Sequence, residues 1–476
     1  MSNSFEPRGS DAYGSRGSRG SRGFRGSGDG RGYRGSRGYR GRGTNRFQTN
    51  FEPSLKLQEG LFDRDFDVIS LSAKSVDPSV KVEATNVVTL GSYNWVDHPT
   101  PTMVIPGHAP VRKELELPFQ LELDSGESFS DQNTNRLPLS PFEPMFRAIK
   151  VTQKQLGNDF KFSDENLDII TDRNNLRKLM RFITSHGPNR DPRPGSNREF
   201  RIDIQLALNG RTLVLTRRDD KTVESPRFKS YGRNFEKAAT EHVAPILTSN
   251  SSRTVISRLQ STGHHRITRF DLLGLRFLVR YEVDAMILKP LAKAEDEDEG
   301  NLDFLIKAFA RTSLLDSKLA TKPIPVPALK KPESIVDVPN SELRHIVHGE
   351  LVPQANILEL QTLKNVYGIT WSDTYTQLFL SQTPTLNVAK HSDGLISSIE
   401  IHDNNSQELK KAHNDLAPDF VSLVHLLKDI REIAKKRELA GKPFAIYWSG
   451  TGDLKIRCLH RSHIAHLPSE KELAAF

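Results

Sequence analysis

The most restrictive feature of the sequence is its N-terminal segment, in which Arg-Gly pairs alternate with serine and apolar residues are few. The alternation runs from Arg16-Gly17 to Arg42-Gly43. Glycine at this density makes ordering of the backbone entropically costly, and little apolar surface is available to offset that cost. We therefore predict a disordered tail over residues 1–50 and a folded part that begins near Leu61.

The same tail carries the excess charge of the chain. Residues 1–46 contain 11 arginines and three acids, so their balance is 11 − 3 = +8, which equals the net charge of the whole protein. Guanidinium groups pair with phosphates and stack on bases, as do interleaved aromatic rings. The pattern predicts a sequence-tolerant RNA contact made by Arg16, Arg19, Arg22, Arg25, Arg34, Arg37 and Arg40. A solubilising tail without a partner is the alternative.

Composition also excludes several classes of protein. The single cysteine, Cys458, excludes an intrachain disulfide framework and a cysteine-based zinc site. No apolar run of about 18 residues is present, so no membrane span is expected. We expect a nuclear or cytoplasmic protein. A mitochondrial transit peptide would need an amphipathic helix, which the glycine-rich start disfavours.

Periodicity predicts one α/β domain over residues 61–470. Strands are predicted at Phe66–Leu71, Val87–Leu90, Phe200–Leu208, Thr212–Thr216, Gly274–Ile287, Asn356–Leu360, Thr385–Ala389, Phe444–Trp448 and Leu454–Leu459. The third and fourth of these are predicted to form a hairpin with Asn209-Gly210 as its turn. Helices are predicted at Leu167–Ser185, Asn234–Ala244, Thr374–Gln382 and Asp419–Leu439. The proline-studded segment Pro99–Pro110 is expected to wrap a surface, and residues 290–345 to form a surface insertion.

Two acids on one predicted strand are the informative chemical pattern. Glu282 and Asp284 have the same parity, so both side chains point to one face, and the flanking residues are apolar. Two carboxylates held close together in a low dielectric favour a hard cation such as Mg²⁺ or Mn²⁺. Glu359 interrupts a second apolar strand in the same way. A solvated strand face is the alternative for each acid.

Ordered along the chain, these elements resemble the decapping exoribonuclease (DXO-type) family. The motifs that carry the resemblance are Arg173 before a Leu-x-Lys-Leu helix, Gly232-Arg-Asn-Phe-Glu236, Glu282-Val-Asp284, Glu359-Leu-Gln-Thr362 and Gln377-Leu-Phe-Leu380. The segment Ser92-Tyr-Asn-Trp95 resembles a divergent fungal branch of that family. The resemblance implies a PD-(D/E)XK-like nuclease core, in which helices flank a central mixed sheet.

The resemblance also implies roles for individual residues. Glu236, Asp284, Glu359 and the main-chain carbonyl of Leu360 would be metal ligands, to two ions, and Glu282 would hold a water on the metal. Gln377 would position the scissile phosphate, and Arg173 would contact RNA phosphates near the 5′ end. The expected substrate is RNA with a 5′-triphosphate or a noncanonical cap. The resemblance further implies a 5′–3′ exonuclease as a protein partner.

One position departs from the family pattern. Gln361 stands where the family has lysine, and loss of one such electrostatic contact typically costs about 10²–10³ in rate. The alternative to a metal-dependent hydrolase is therefore a catalytically weakened protein that binds RNA on the same fold. Isoprenoid-diphosphate synthesis is disfavoured, because it would need paired Asp-rich motifs on facing helices. His264-His265 is expected to be a surface pair without a third metal ligand.

Overall fold

A large mixed sheet organises the chain in this computed structural model. The structure describes residues 54–71, 80–186, 199–224, 230–241, 243, 246–250, 253–287, 334–436, 438–439 and 441–476. The Arg-Gly tail and most of the predicted insertion lie outside these residues. Within the described residues, no helix is long and apolar enough to cross a membrane.

The first sheet has eleven strands. In spatial order they are β1 (Asp67–Ile69), β22 (Leu454–Cys458), β21 (Phe444–Trp448), β8 (Phe200–Leu206), β9 (Leu213–Arg218), β7 (Ile169–Asp172), β15 (Leu275–Val283), β14 (Ser261–Leu272), β2 (Thr85–Val96), β3 (Thr102–Gly107) and β17 (Arg344–Gly349). β8 and β9 pair antiparallel around Asn209-Gly210, which confirms the predicted hairpin.

The second sheet has seven strands. In spatial order they are β11 (Thr240–Glu241), β4 (Val111–Arg112), β16 (Ala285–Met286), β18 (Ile357–Lys364), β19 (Thr385–Ser392), β20 (Leu395–Asp403) and β5 (Phe119–Gln120). Two further pairs join β6 (Ser128–Phe129) to β10 (Val223–Glu224) and β12 (Ile246–Asn250) to β13 (Arg253–Leu259). The chain passes from the first sheet to the second at Asp284, between β15 and β16.

Helices cover the first sheet on both faces. The α-helices of the described residues are α1 (Leu55–Gln58), α2 (Gln132–Arg136), α3 (Glu143–Gln155), α4 (Arg173–His186), α5 (Gly232–Ala239), α6 (Trp371–Ser381), α7 (Gln407–Ala434) and α8 (Glu470–Leu473). One core packs α4 and α7 against the sheet, and a second core packs α3 against β2. The predicted α/β class, with helices flanking a mixed sheet, is confirmed.

Three local predictions are wrong. Pro99–Pro110 does not wrap a surface, because β3 is a fully buried strand of the first sheet. The helix predicted from Leu167 begins only at Arg173, since the preceding residues form the parallel strand β7. α7 begins at Gln407 rather than Asp419 and contains Pro418. Pro418 itself is exposed, but buried residues such as Leu416 and Phe420 lie on both sides of it, so packing outweighs the one backbone hydrogen bond that proline removes.

Candidate functional site

The crossing between the two sheets places the first acid of the site. Asp284 stands between β15 and β16, and its Oδ2 accepts a hydrogen bond from the main-chain N–H of Leu360 at 2.8 Å. This bond fixes the carboxylate against β18, directly beside Glu359. The two acidic strands of the sequence are therefore adjacent in space.

Glu282 lies two residues before Asp284 and is exposed although protein atoms surround it closely, so it lies in a concave part of the surface, which we call the cleft. Its side chain is exposed, whereas those of Tyr281 and Val283 are buried. The alternation agrees with the predicted parity, because successive residues of a strand point to opposite faces. A carboxylate at the bottom of the cleft is thus open to solvent and to a ligand.

Helix α5 brings Glu236 to the same place. Phe235 and Ala239 belong to one buried cluster with Leu358 and Leu360 of β18, so the helix lies on the second sheet. Glu236 follows Phe235 and is half-buried. Packing of an apolar stripe, rather than any local sequence signal, therefore fixes the position of this acid.

The start of α5 is held by a residue that the sequence reasoning missed. Asp124 accepts hydrogen bonds from the main-chain N–H groups of Asn234 at 2.9 Å and Arg233 at 3.3 Å. It therefore satisfies two of the four N–H groups that a helix leaves unpaired at its start. Asp124 precedes the helix by more than 100 residues and lies in an irregular segment, so no sequence spacing points to this role.

The carboxylates influence one another strongly. Burial raises the pKa of Glu236, and the negative charges of Glu282 and Glu359 raise it further. Burial also raises the pKa of Asp284, with added contributions from Glu359 and Glu236. Glu282 reaches solvent, but the protein atoms around it displace part of its hydration and so raise its pKa; Arg173 opposes this shift, and Glu359 adds to it. Four acids from distant segments therefore share one cleft and leave an excess of negative charge there.

Polar groups on two helices contact Glu359, which is buried. Nη1 of Arg173, the first residue of α4, lies 3.2 Å from Glu359 Oε2 and donates also to Ser381 Oγ at 3.2 Å. Gln377 of α6 donates from Nε2 to Glu359 Oε1. Both carboxylate oxygens of Glu359 are thus engaged by residues that the sequence had placed in the site.

Gln361 points along the same face of β18 as Glu359 but takes a different partner. Its Oε1 lies 3.5 Å from Thr374 Oγ1 on α6. Lys364, the nearest lysine along the strand, lies 3.5 Å from Asp393 Oδ1 and is 45% exposed. Neither residue brings a positive charge to the acids in place of the lysine expected at position 361. Arg173 is the cation that the structure places in contact with one of them.

The donor set suits a hard divalent cation. Carboxylate oxygens are the ligands that Mg²⁺ and Mn²⁺ prefer, and mutually raised pKa values show a negative charge that such an ion would compensate. Across the described ranges, no three His, Cys, Asp or Glu side chains already stand in a metal-ligating arrangement. Glu359 would exchange a contact with Arg173 or Gln377 for the ion. The residues fit the metal after this local rearrangement.

The prediction of a surface histidine pair is wrong. His264 and His265 are both buried on β14, a central strand flanked by β15 and β2. His264 Nδ1 lies 2.8 Å from Asn94 Oδ1, and the ring of His265 stacks on that of Tyr93 at 5.0 Å. Burial lowers the pKa of both imidazoles. They are packed neutral side chains.

Residues around the acids that the sequence did not single out include Gln354 and Tyr281. Gln354 Nε2 donates to the Tyr281 hydroxyl at 3.0 Å and to the main-chain carbonyl of Ser381 at 3.0 Å. The Arg173 guanidinium carbon lies 5.7 Å from the centre of the Tyr281 ring. Ser381 lies four residues after Gln377 and therefore on the same face of α6. The helical period could have identified Ser381 from the sequence as a neighbour of Gln377.

Comparison with known proteins finds solved structures whose backbones are similar to that of this chain. A search of curated proteins finds no match. Among solved structures, Scheffersomyces stipitis Rai1 is 11% identical, with 84% of this chain and 99% of that chain covered and a TM-score of 0.46. Candida albicans Rai1 in complex with pU5-Mn²⁺ is 11% identical, with 85% and 99% covered and a TM-score of 0.43. K. lactis Dxo1 in complex with manganese is 8% identical, with 82% and 95% covered and a TM-score of 0.41.

The backbone of the chain is thus similar to those of Rai1 and Dxo1 over these ranges. A family model described as "Domain of unknown function (DUF8563)" matches residues 66–466. The match spans both sheets and all four acids of the cleft. The chain belongs to the DUF8563 family.

Proposed function

We propose that this protein is a divalent-metal-dependent hydrolase of RNA 5′ ends, of the decapping, pyrophosphohydrolase or 5′–3′ exoribonuclease type. The observation that carries the proposal is the convergence of Glu236, Glu282, Asp284 and Glu359 on one cleft that is open to solvent at Glu282. A bound cation stabilises the ionised form of acids that raise one another's pKa. Hydrolysis of phosphate esters is a reaction that such metal sites catalyse.

The residues of the cleft have different proposed roles, which depend on where each side chain lies. Glu236, Asp284, Glu359 and the carbonyl of Leu360 would hold Mg²⁺ or Mn²⁺, as one or two ions. When bound, the metal polarises a phosphoryl oxygen and lowers the pKa of water. Glu282 faces the opening and is placed to accept a proton from an attacking water.

Arg173 and Gln377 would act on the substrate once Glu359 turns to the cation. Each has an N–H group that now donates to Glu359 and would then donate to phosphate oxygens. Arginine suits this role, because its planar guanidinium matches the geometry of phosphate. A 5′-triphosphate or a noncanonical cap supplies the row of phosphates such donors need. The arginines of the tail would add a sequence-independent, salt-sensitive RNA contact.

The test is metal-dependent release of product from 5′-triphosphorylated or capped RNA by the full chain. Asp284→Ala and Glu359→Ala should each lower the rate by at least about 10²-fold, as expected when charge stabilisation is removed. Glu432→Gln, on the exposed surface of α7 at 67% exposure, is the matched control and should leave the rate unchanged. Cleavage that is indifferent to both site variants would contradict the proposal.

A second candidate is an RNA-binding protein without turnover, favoured by the contact of Gln361 with Thr374 rather than with the acids. It predicts tight, salt-sensitive RNA binding and no metal-dependent cleavage. Gln361→Lys separates the candidates, since residue 361 shares the face of Glu359 and a lysine there would reach the cleft. A gain of about 10²-fold in rate would show that the remainder of the site is assembled.

A further inference from the structure

The short helix α2 forms one side of the cleft at Glu282. The contact runs through Gly263 of β14. A Cβ atom on that glycine would stand 2.9 Å from Glu282 Oε1 and 3.3 Å from Gln132 Nε2. Glu282 and the first residue of α2 therefore border the same small space, which the missing side chain of Gly263 leaves open.

Gln132 has an unused hydrogen-bonding atom at this place. The residue is 6% exposed, and its Nε2 donates to the main-chain carbonyl of Thr262 at 2.7 Å. Its Oε1 is buried and has no hydrogen-bond partner among the described residues. A buried acceptor normally has a partner, so its absence here marks a position where a ligand donor is expected.

Arg136 lies one turn further along α2, between two aromatic rings. Its guanidinium carbon is 5.3 Å from the ring of Trp95, which is buried, and 5.8 Å from the ring of Phe129, which is 41% exposed. Nη2 donates to Thr262 Oγ1 at 3.1 Å, and Nε is buried without a partner. In the described part of the chain, no carboxylate forms an ion pair with this arginine. The charge of Asp97 acts on it from a longer distance than an ion pair, so the guanidinium can still bind an anion.

We propose that α2 and Phe129 form a binding subsite for one nucleotide of single-stranded RNA, next to the phosphate that the acids act on. Phe129 presents an exposed ring face for the base, and Arg136 presents N–H edges for the phosphate. Stacking on an aromatic ring together with a cation on the backbone is how proteins hold single strands without reading sequence. The identity of the strand as RNA rests on the proposed function.

The base contact is tested with 5′-phosphorylated oligoribonucleotides that carry an abasic residue at one of the first four positions. Affinity is measured by fluorescence anisotropy in EDTA, with the full chain, so that nothing is cleaved. At one position, loss of the base should weaken binding about tenfold in the wild type and at most twofold in Phe129→Ala. Leu208→Ala, which removes another exposed apolar side chain, is the control and should keep the tenfold difference.

The phosphate contact is tested with Arg136→Gln. It should weaken binding of every oligonucleotide alike and reduce the slope of log affinity against log salt by about 0.7, the value for one phosphate of a single strand. Arg136→Lys should restore the slope, and Arg461→Gln, at an exposed surface arginine, should not change it. The subsite is refuted if no position shows the tenfold difference in the wild type, if Phe129→Ala retains that difference, or if Arg136→Gln retains the wild-type slope. Loss of cleavage in Asp284→Ala is independent of either result.

Discussion

Asp284→Asn should stabilise the metal-free protein while it abolishes metal-dependent cleavage. The side chain is surrounded by other carboxylates, and its pKa is raised by burial and then by Glu359 and Glu236. Asparagine has the same shape, and its side-chain oxygen can still accept the hydrogen bond from Leu360 N–H. The substitution therefore removes a repelled charge without opening a cavity or breaking a contact.

The size of the effect follows from the raised pKa. One pKa unit corresponds to about 1.4 kcal/mol, and the pKa of Asp284 lies well above its ordinary value of 3.8, so its ionisation at neutral pH opposes folding. Asp284 is only half-buried, and solvent contact reduces the expected gain to about 2 kcal/mol. A carboxylate with a raised folded-state pKa disfavours folding only above its unfolded-state pKa. The gain should therefore be small at pH 4 and grow towards neutrality.

The assay is urea unfolding of wild type and variant in EDTA at pH 4.5, 6 and 7.5. Asp203→Asn is the matched control, because Asp203 is fully buried but paired with Arg201, its Oδ1 lying 2.6 Å from Arg201 Nε. Burial alone would raise the pKa of Asp203, but His466 and Arg201 hold it below its ordinary value. Removing this charge should cost about 3 kcal/mol. The reasoning is refuted if Asp284→Asn destabilises the EDTA-treated protein as Asp203→Asn does.

Two further predictions concern the same cleft. Gly263→Ala should displace Glu282, because the new Cβ would stand 2.9 Å from Glu282 Oε1. We expect the rate of cleavage to fall about tenfold and the free energy of unfolding to change by less than about 1 kcal/mol. Wild-type kinetics in this variant would contradict the placement of Glu282. Affinity for Mn²⁺, measured by calorimetry, should rise with pH between the ordinary glutamate value of 4.5 and about 8, because burial and the charges of Glu282 and Glu359 raise the pKa of Glu236 and protons compete with the ion for this ligand. A pH-independent affinity would argue against carboxylate ligands.

Local sequence patterns predicted much of the secondary structure. The turn at Asn209-Gly210 and the two C-terminal strands are confirmed, because their signals come from neighbouring residues. The common face of Glu282 and Asp284 followed from the two-residue period of a strand. Burial of β3 and extension of α7 through Pro418 did not follow, since both depend on distant segments that pack against them.

What the sequence determined by itself was the set of acids and the strands that carry them, because residue type and alternation are local properties. Tertiary structure alone decided that Glu236 on α5 meets Asp284 where the chain crosses between sheets, and that Arg173 contacts Glu359. It also decided that Asp124 holds the start of α5 and that Gln132 borders Glu282. These contacts join residues far apart along the chain, so they depend on how helices and sheets pack rather than on any spacing in the sequence.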